Sequence, residues 1–134
     1  MIVAEKFTMQ HAEVICPLAM EYEYWEDDNW RKWAKIAIEA GPAYVGLREG
    51  EPIMAGGVIT KDDKAWIWAL FTEKIKECKK EALRTMKIIL QVMAEEHHIK
   101  EMWTLSSKAF VPAHRLLKHL GFEQVRDNTH VLRF

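Results

Sequence analysis

A chain of 134 residues has the length of one domain and can bury a core without disulfides or metal. Its 19 Lys and Arg against 20 Asp and Glu leave a net charge of −1, which excludes an overall basic field suited to nucleic acid or an anionic membrane. The two cysteines, Cys16 and Cys78, share no metal or redox spacing, and no apolar run approaches the 18 or so residues of a membrane span, so free thiols and a cytoplasmic protein are expected.

Residues 2–7 read as a first strand, and Thr8 as the N-cap of a helix with Ala12, Ile15, Leu18 and Tyr22 on one face. Pro17 either kinks that helix or restarts it as a first-turn residue. Residues 21–28 are acidic and aromatic, without a clear period. Asp28 or Asn29 then caps a second helix whose face is Trp30, Trp33, Ala34, Ala37 and Ile38, stopped by Gly41-Pro42. Residues 43–48 and 53–60 make two strands joined by a hairpin loop at 49–52. Gly56-Gly57 inside the second strand signals a bulge or a close backbone approach, and Asp62-Asp63 makes another turn.

The unbroken apolar run 65–71 reads as a strand buried on both faces. After a charged linker at 72–77, apolar residues recur at Cys78, Ala82, Met86, Ile89, Leu90 and Met93, one face of a long amphipathic helix. A strand at 101–106 then returns parallel to the first, completing a crossover unit whose ligand should lie outside the carboxyl ends of the two strands. Pro112 opens a last helix with Ala113, Leu116, Leu117 and Leu120 as its buried stripe. Gly121 stops it, with Phe122 packing back on Leu117. A hairpin around Asp127-Asn128 closes the chain. There is no internal repeat or interdomain linker.

This order, β-α-α-β-β-β-α-β-α-β-β, with Pro112-Ala113-His114-Arg115-Leu116-Leu117-Lys118-His119-Leu120-Gly121-Phe122 near the end, resembles the GNAT superfamily of acetyl-CoA-dependent acyltransferases. The resemblance implies a mixed α/β (α+β) fold, a single GNAT-like domain over 1–134. Its twisted sheet would have about seven strands, with helices on both faces. It also implies that the central parallel pair, 65–71 and 101–106, splays so that the pantetheine arm of acetyl-CoA or coenzyme A lies in the gap. On that footing the backbone of Leu70, Phe71 and Thr72 holds pantetheine, and Cys78, Lys79 and Lys80 face the pyrophosphate. A small-molecule or peptide amine enters from the side of the first two helices, and no metal takes part.

The departures from the family pattern are as informative. The Arg/Gln-x-x-Gly-x-Gly/Ala signature falls on Ile75, Cys78 and Lys80, so none of its three positions matches. The usual asparagine falls on Phe110, and the tyrosine that protonates the departing thiolate falls on Leu117. The glycine-free, lysine-rich helix start, the tryptophan-rich central strand and the break at Ile15-Cys16-Pro17 also resemble GNAT-like internal virion proteins of short-tailed bacteriophages. Two classes of function therefore stand side by side. One is an N-acyltransferase; the other is a catalytically inactive GNAT-fold structural or binding protein of phage or prophage origin, with virion proteins as partners. A homodimer is compatible with either.

Individual residues carry paired readings. Lys74, Lys76, Lys79 and Lys80 crowd a helix start, where they either hold phosphates or are neutralised by Glu73, Glu77 and Glu81 on a solvated face. Cys78 is an activated thiolate or a small core residue in register with Ala82 and Met86. Ser106 and Ser107 offer a hydroxyl to replace the missing tyrosine, or cap the next loop. Tyr24, Trp25, Glu26 and Asp27 could receive a cationic amine, or form a solvated loop. The histidines His97, His98, His114 and His119 lack ligand spacing and read as surface residues.

Overall fold

In the structure, a computed structural model, residues 1–19, 29–105 and 111–134 are described, with the side chains of 111–114 left out. Two tight turns build the antiparallel half of the sheet. Strand β1 (Ile2–Lys6) pairs antiparallel with β2 (Ala43–Arg48), which pairs with β3 (Glu51–Lys61), which pairs with β4 (Lys64–Phe71). The β2–β3 turn is Glu49-Gly50, at φ 54° and 78°, and the β3–β4 turn is Asp62-Asp63, at φ 54° and 62°. Positive φ at both central residues matches the right-handed twist of the flanking strands, and Gly and Asp are residues that tolerate it. The hairpin loop is thus two residues long rather than four, because Glu51 and Pro52 already belong to β3.

The described residues form a seven-stranded sheet in the order β1-β2-β3-β4-β5-β7-β6, with β5 (Glu101–Leu105), β6 (Glu123–Arg126) and β7 (Thr129–Arg133). Among the described strands only β4 and β5 pair parallel. Their crossover is helix α3 (Lys79–Glu96). It lies with α4 (Val111–Leu120) on one face of the sheet, where Met86, Ile89, Leu90 and Met93 pack with Ile53, Val58, Met102 and Phe122. Helices α1 (Met9–Ile15) and α2 (Trp30–Ala40) cover the other face with Phe7, Ala12, Ile15, Trp30 and Ala34 against Val45, Ala55 and Leu70. Each large aliphatic side chain so buried contributes about 1.5–3 kcal/mol, which is why the two stripes of apolar residues dictate a three-layer arrangement.

Several local expectations are refined. Thr8 caps α1 in a reciprocal box with His11, and the proline restart takes the form of a single 3-10 turn, Cys16–Leu18. That turn rotates Leu18 off the buried stripe, leaving it 55% exposed; Tyr22 lies outside the described residues. Asn29 starts α2 without a side-chain capping bond. The bulge sits in β3 at Ile53, opposite the Gly46–Leu47 step of β2, whereas Gly57 serves a close approach. A Cβ there would stand 2.7 Å from the Pro42 carbonyl oxygen and 2.8 Å from the Trp68 ring. At the end of α4, Gly121 (φ 97°) donates to the Lys118 carbonyl and Phe122 to that of Leu117, and both Phe122 and Leu117 join the core. Pro112 is the second residue of that helix, and its neighbour Ala113 is among the side chains left out.

β4 is less buried than a continuous apolar run implies. Among its residues Leu70 alone is fully buried, Ala69 is exposed, and Trp66, Ile67 and Trp68 are half-buried. The reason lies in the layers, since α1 and α2 pack over β3 and leave β4 at the margin of their cover.

Candidate active site

The site begins where β4 and β5 part. Their ladder has two rungs, Ala65 with Met102 and Trp66 with Trp103. At the next position the Thr104 hydroxyl donates to the Ile67 carbonyl at 3.1 Å, a side-chain bond in place of a backbone one. Beyond it, β4 continues to Phe71 along β3 with no strand residue paired on its β5 side among the described residues. Alternate peptide groups of an unpaired edge point outward, so such an edge can take an extended ligand chain as it would another strand.

Past β4 the chain turns sharply. Thr72 is buried and ties back to β3, its backbone N–H and its hydroxyl both donating to the Ile53 carbonyl at 3.0 and 3.2 Å. Residues Glu73–Glu77 form a 3-10 turn in which Ile75 donates to the Thr72 carbonyl and Cys78 to the Ile75 carbonyl. The N–H groups of Thr72 and Cys78 are thereby spent on protein carbonyls. None of residues 72–80 has positive φ, so the loop before α3 is not the alternating backbone cradle that wraps a phosphate. Cys78 immediately precedes α3. Its Sγ lies 3.8 Å from the Lys74 carbonyl and its side chain packs half-buried on the core, which is the packing reading of this residue.

The acidic residues of this corner are engaged, but mostly not with the α3 lysines. Glu77 pairs with Arg48 at 3.1 Å, Glu73 with Lys76 at 2.6 Å, Glu81 lies 3.4 Å from the Met1 amino group, and Lys74 reaches across to Glu51. Lys79 and Lys80 are exposed and have no ion pair among the described residues. The first helical bond of α3 is donated by Ala82 to Cys78, so the N–H groups of residues 79–81 have no partner within the helix. Two unpaired cations and the positive end of an 18-residue helix therefore share one corner.

Of the residues singled out in the sequence, Leu70, Phe71, Thr72, Cys78, Lys79 and Lys80 come together at this carboxyl end. Ser106, Ser107, Tyr24, Trp25, Glu26 and Asp27 lie outside the described residues, as does Phe110. Leu117, at the family's tyrosine position, is half-buried against the α3-side core. His97, His98 and His119 are exposed, and among the described residues no three His, Cys, Asp or Glu side chains cluster as a metal site. Cys16 is fully buried, and burial pushes its thiol up to about 12, which removes it as a nucleophile. Sequence reasoning missed Thr104. The available signal was a hydroxyl between Trp103 and Leu105, in register with the inward Met102.

The three-layer arrangement, with one splayed parallel pair in a mixed sheet, is shared with solved acetyltransferases. An acetyltransferase of the GNAT family from Staphylococcus aureus Mu50 superposes with a TM-score of 0.78 at 11% identity, covering 99% of both chains. The chain has the GNAT fold. An aminoglycoside 6'-acetyltransferase type Ii matches with a TM-score of 0.79 at 11% identity, over 98% of this chain and 96% of that one. The aminoglycoside acetyltransferase AAC(6')-Ib, solved with coenzyme A and kanamycin, matches with a TM-score of 0.76 at 13% identity over 99% and 95%. No protein-family profile and no curated protein sequence matches the chain. At such identities the GNAT likeness is one of fold. Among the described residues no helix is long and apolar enough to cross a membrane.

Proposed function

We propose that this GNAT-fold chain binds an acyl-coenzyme A and transfers its acyl group to an amine. The observation that carries the reading is the fork where the β4–β5 ladder stops after two rungs, at the same end of the sheet as the α3 start and as Lys79 and Lys80, which have no ion pair among the described residues. An extended pantetheine arm fits the edge, and a diphosphate fits the corner in charge. Because Thr72 and Cys78 have spent their N–H groups, the arm is held by the Leu70–Phe71 part of the edge. The phosphates are held by the ammonium groups of Lys79 and Lys80 and the N–H groups that open α3. When bound, the cofactor supplies an acyl thioester whose carbonyl is attacked by the amine, the C–S bond breaking as the thiol departs. The chain's own part is to orient that thioester at the fork between β4 and β5 and to admit the amine from the α1–α2 side. Aminoglycoside acetyltransferases of the same fold, solved with coenzyme A and kanamycin, support a cofactor and an amine as the pair of ligands.

The glycine-free 3-10 turn and the leucine at position 117 favour a second reading, a GNAT-fold binding or virion protein that retains the scaffold without turnover. Calorimetric titration with acetyl-CoA, followed by assay of thiol release against a panel of amines, separates the two. Binding with turnover supports the enzyme. Absence of heat at millimolar acetyl-CoA removes it, and binding without thiol release supports the second reading.

A further inference from the structure

Beside the start of α3, four charged side chains close a clasp between two segments that the sequence keeps apart. Arg48 and Glu51 flank the Glu49-Gly50 turn and stand opposite each other in the β2–β3 ladder. Each reaches to the 3-10 turn Glu73–Glu77. Arg48 donates to Glu77 at 3.1 Å, and Glu51 accepts from Lys74, so the hairpin end is fastened to that turn twice. The Cys78 sulfur lies 3.8 Å from the Lys74 carbonyl, which folds the clasped turn directly against the residue that precedes α3.

Coenzyme A carries two negative charges on its diphosphate and about two more on its 3′-phosphate. Lys79 and Lys80 match roughly half of that. The backbone cannot supply the rest, because Thr72 and Cys78 donate their N–H groups to protein carbonyls and none of residues 72–80 has the positive φ of a phosphate cradle. What the corner holds in addition is cations already occupied by carboxylates. Lys76 is held by Glu73 within the turn at 2.6 Å, and Arg48 and Lys74 are held across the clasp. The clasp carboxylates of Glu77 and Glu51 are 67% and 44% exposed. Each can therefore turn into water and release its cation without any element unfolding, and exposed pairs of this kind resist exchange only weakly.

We infer that Arg48 and Lys74 are further ligands of the coenzyme's phosphates, masked by Glu77 and Glu51 until the coenzyme arrives. The phosphates displace the two carboxylates and take over their cations; no covalent bond changes. The inference rests on the acyl-coenzyme A reading above. It assigns the empty clasp an autoinhibitory effect, since two carboxylates stand where an incoming anion must bind and hold the charges that anion needs.

Calorimetric titration of the intact protein with coenzyme A tests this through the sign of four substitutions. Breaking a merely structural ion pair has the same effect from either side, whereas a masked ligand gives opposite signs. Glu77→Gln and Glu51→Gln should each tighten coenzyme A roughly threefold, the scale of one exposed charge pair, and Arg48→Gln and Lys74→Gln should each weaken it by a like factor. None of the four side chains is buried, and thermal melts verify that each variant is folded. Glu39→Gln, exposed on α2 across the sheet, measures the effect of losing any surface carboxylate and should be smaller. A change in the same direction for both partners of a pair, four unchanged affinities, or carboxylate effects no larger than that of Glu39→Gln would each overturn the inference while leaving the cofactor reading in place. If neither the wild type nor the two carboxylate variants bind coenzyme A at millimolar concentration, the cofactor reading is lost and the inference with it. Binding by the carboxylate variants alone supports the mask.

Discussion

Thr104 donates its hydroxyl to the carbonyl of Ile67 at 3.1 Å, one residue beyond the last backbone rung between β4 and β5. The register that pairs Ala65 with Met102 and Trp66 with Trp103 would bring these same two residues together next. The side chain thus satisfies a carbonyl that the diverging backbone no longer can, and it marks the point at which the fork opens. Thr104→Val keeps the shape and removes the donor, leaving a partly buried acceptor without that bond. Stability should fall by about 1–3 kcal/mol, read as a lower urea midpoint at unchanged slope, with faster amide exchange in β4 around residue 67. An unchanged midpoint would show that the hydroxyl has no part in holding the fork.

The Gly57 contacts allow a sharper structural test. Its missing side chain makes room for the Pro42 carbonyl, which accepts from Val58 at 2.9 Å, and for the Trp68 ring, itself boxed in by Phe7 at 5.6 Å and edge-on by Trp33 at 4.9 Å. Neither neighbour can retreat easily. Gly57→Ala should cost about 1–3 kcal/mol by overpacking and perturb the near-ultraviolet circular dichroism of the tryptophans. Gly56→Ala meets, among the described residues, only the Trp68 carbonyl at 3.2 Å and should cost less. The reverse order in paired chemical denaturation curves would mean that the close approach at Gly57 is not the constraint.

Much of the fold was legible because its periodicities are clean. The 3.6-residue stripe from Ala82 to Met93 is the buried face of α3, and Thr8, Gly121 and Asp62-Asp63 act where local backbone chemistry places them. The burial of β4 was misread because an apolar run does not reveal how far neighbouring helices extend over it. Leu18 was misplaced because a proline replaces helical rotation by one 3-10 turn. The site was legible in outline only. Lysines and glutamates alternating along 73–81 suggest mutual neutralisation. Yet Glu77 turns to Arg48, and Lys74 to Glu51, both from distant strands. No local pattern encodes such long-range choices, and they leave Lys79 and Lys80 without an ion pair among the described residues.

That arrangement makes the lysine pair the place to challenge the cofactor reading. Lys79→Glu with Lys80→Glu reverses two exposed charges at the start of α3 and, among the described residues, breaks no side-chain hydrogen bond or ion pair and leaves the core untouched. Coenzyme A affinity should fall at least tenfold, the equivalent of about 1.4 kcal/mol. Wild-type affinity should also weaken as salt is raised from 50 to 500 mM, since exposed charges are screened. Thermal melting of the variant should be no lower than that of the wild type, since carboxylates suit the first turn of a helix better than ammonium groups do. Unchanged coenzyme A affinity would exclude a phosphate role for these lysines, even if the protein still bound the cofactor.

Alkaline pH should expose the buried thiol. Cys16 has no exposed surface, and burial raises its thiol up to about 12, whereas in an unfolded chain a thiol titrates near 8.5. Below about pH 8.5 the thiol is protonated in both states, so its contribution to stability is fully present. As pH rises, the unfolded chain releases the proton first while the folded one retains it, which favours unfolding until the folded thiol also titrates. The limiting slope is a loss of about 1.4 kcal/mol per pH unit. Tyr44, raised first by burial and then by its bond to Glu96, adds loss of the same sign nearer its own range. Comparison with Cys16→Ala isolates the thiol, because every other group is common to both proteins. The variant should start less stable near pH 8 through the small cavity it creates and then converge on the wild type as pH climbs towards 11. Parallel curves of unfolding free energy against pH would show that the thiol titrates alike in the folded and unfolded chains.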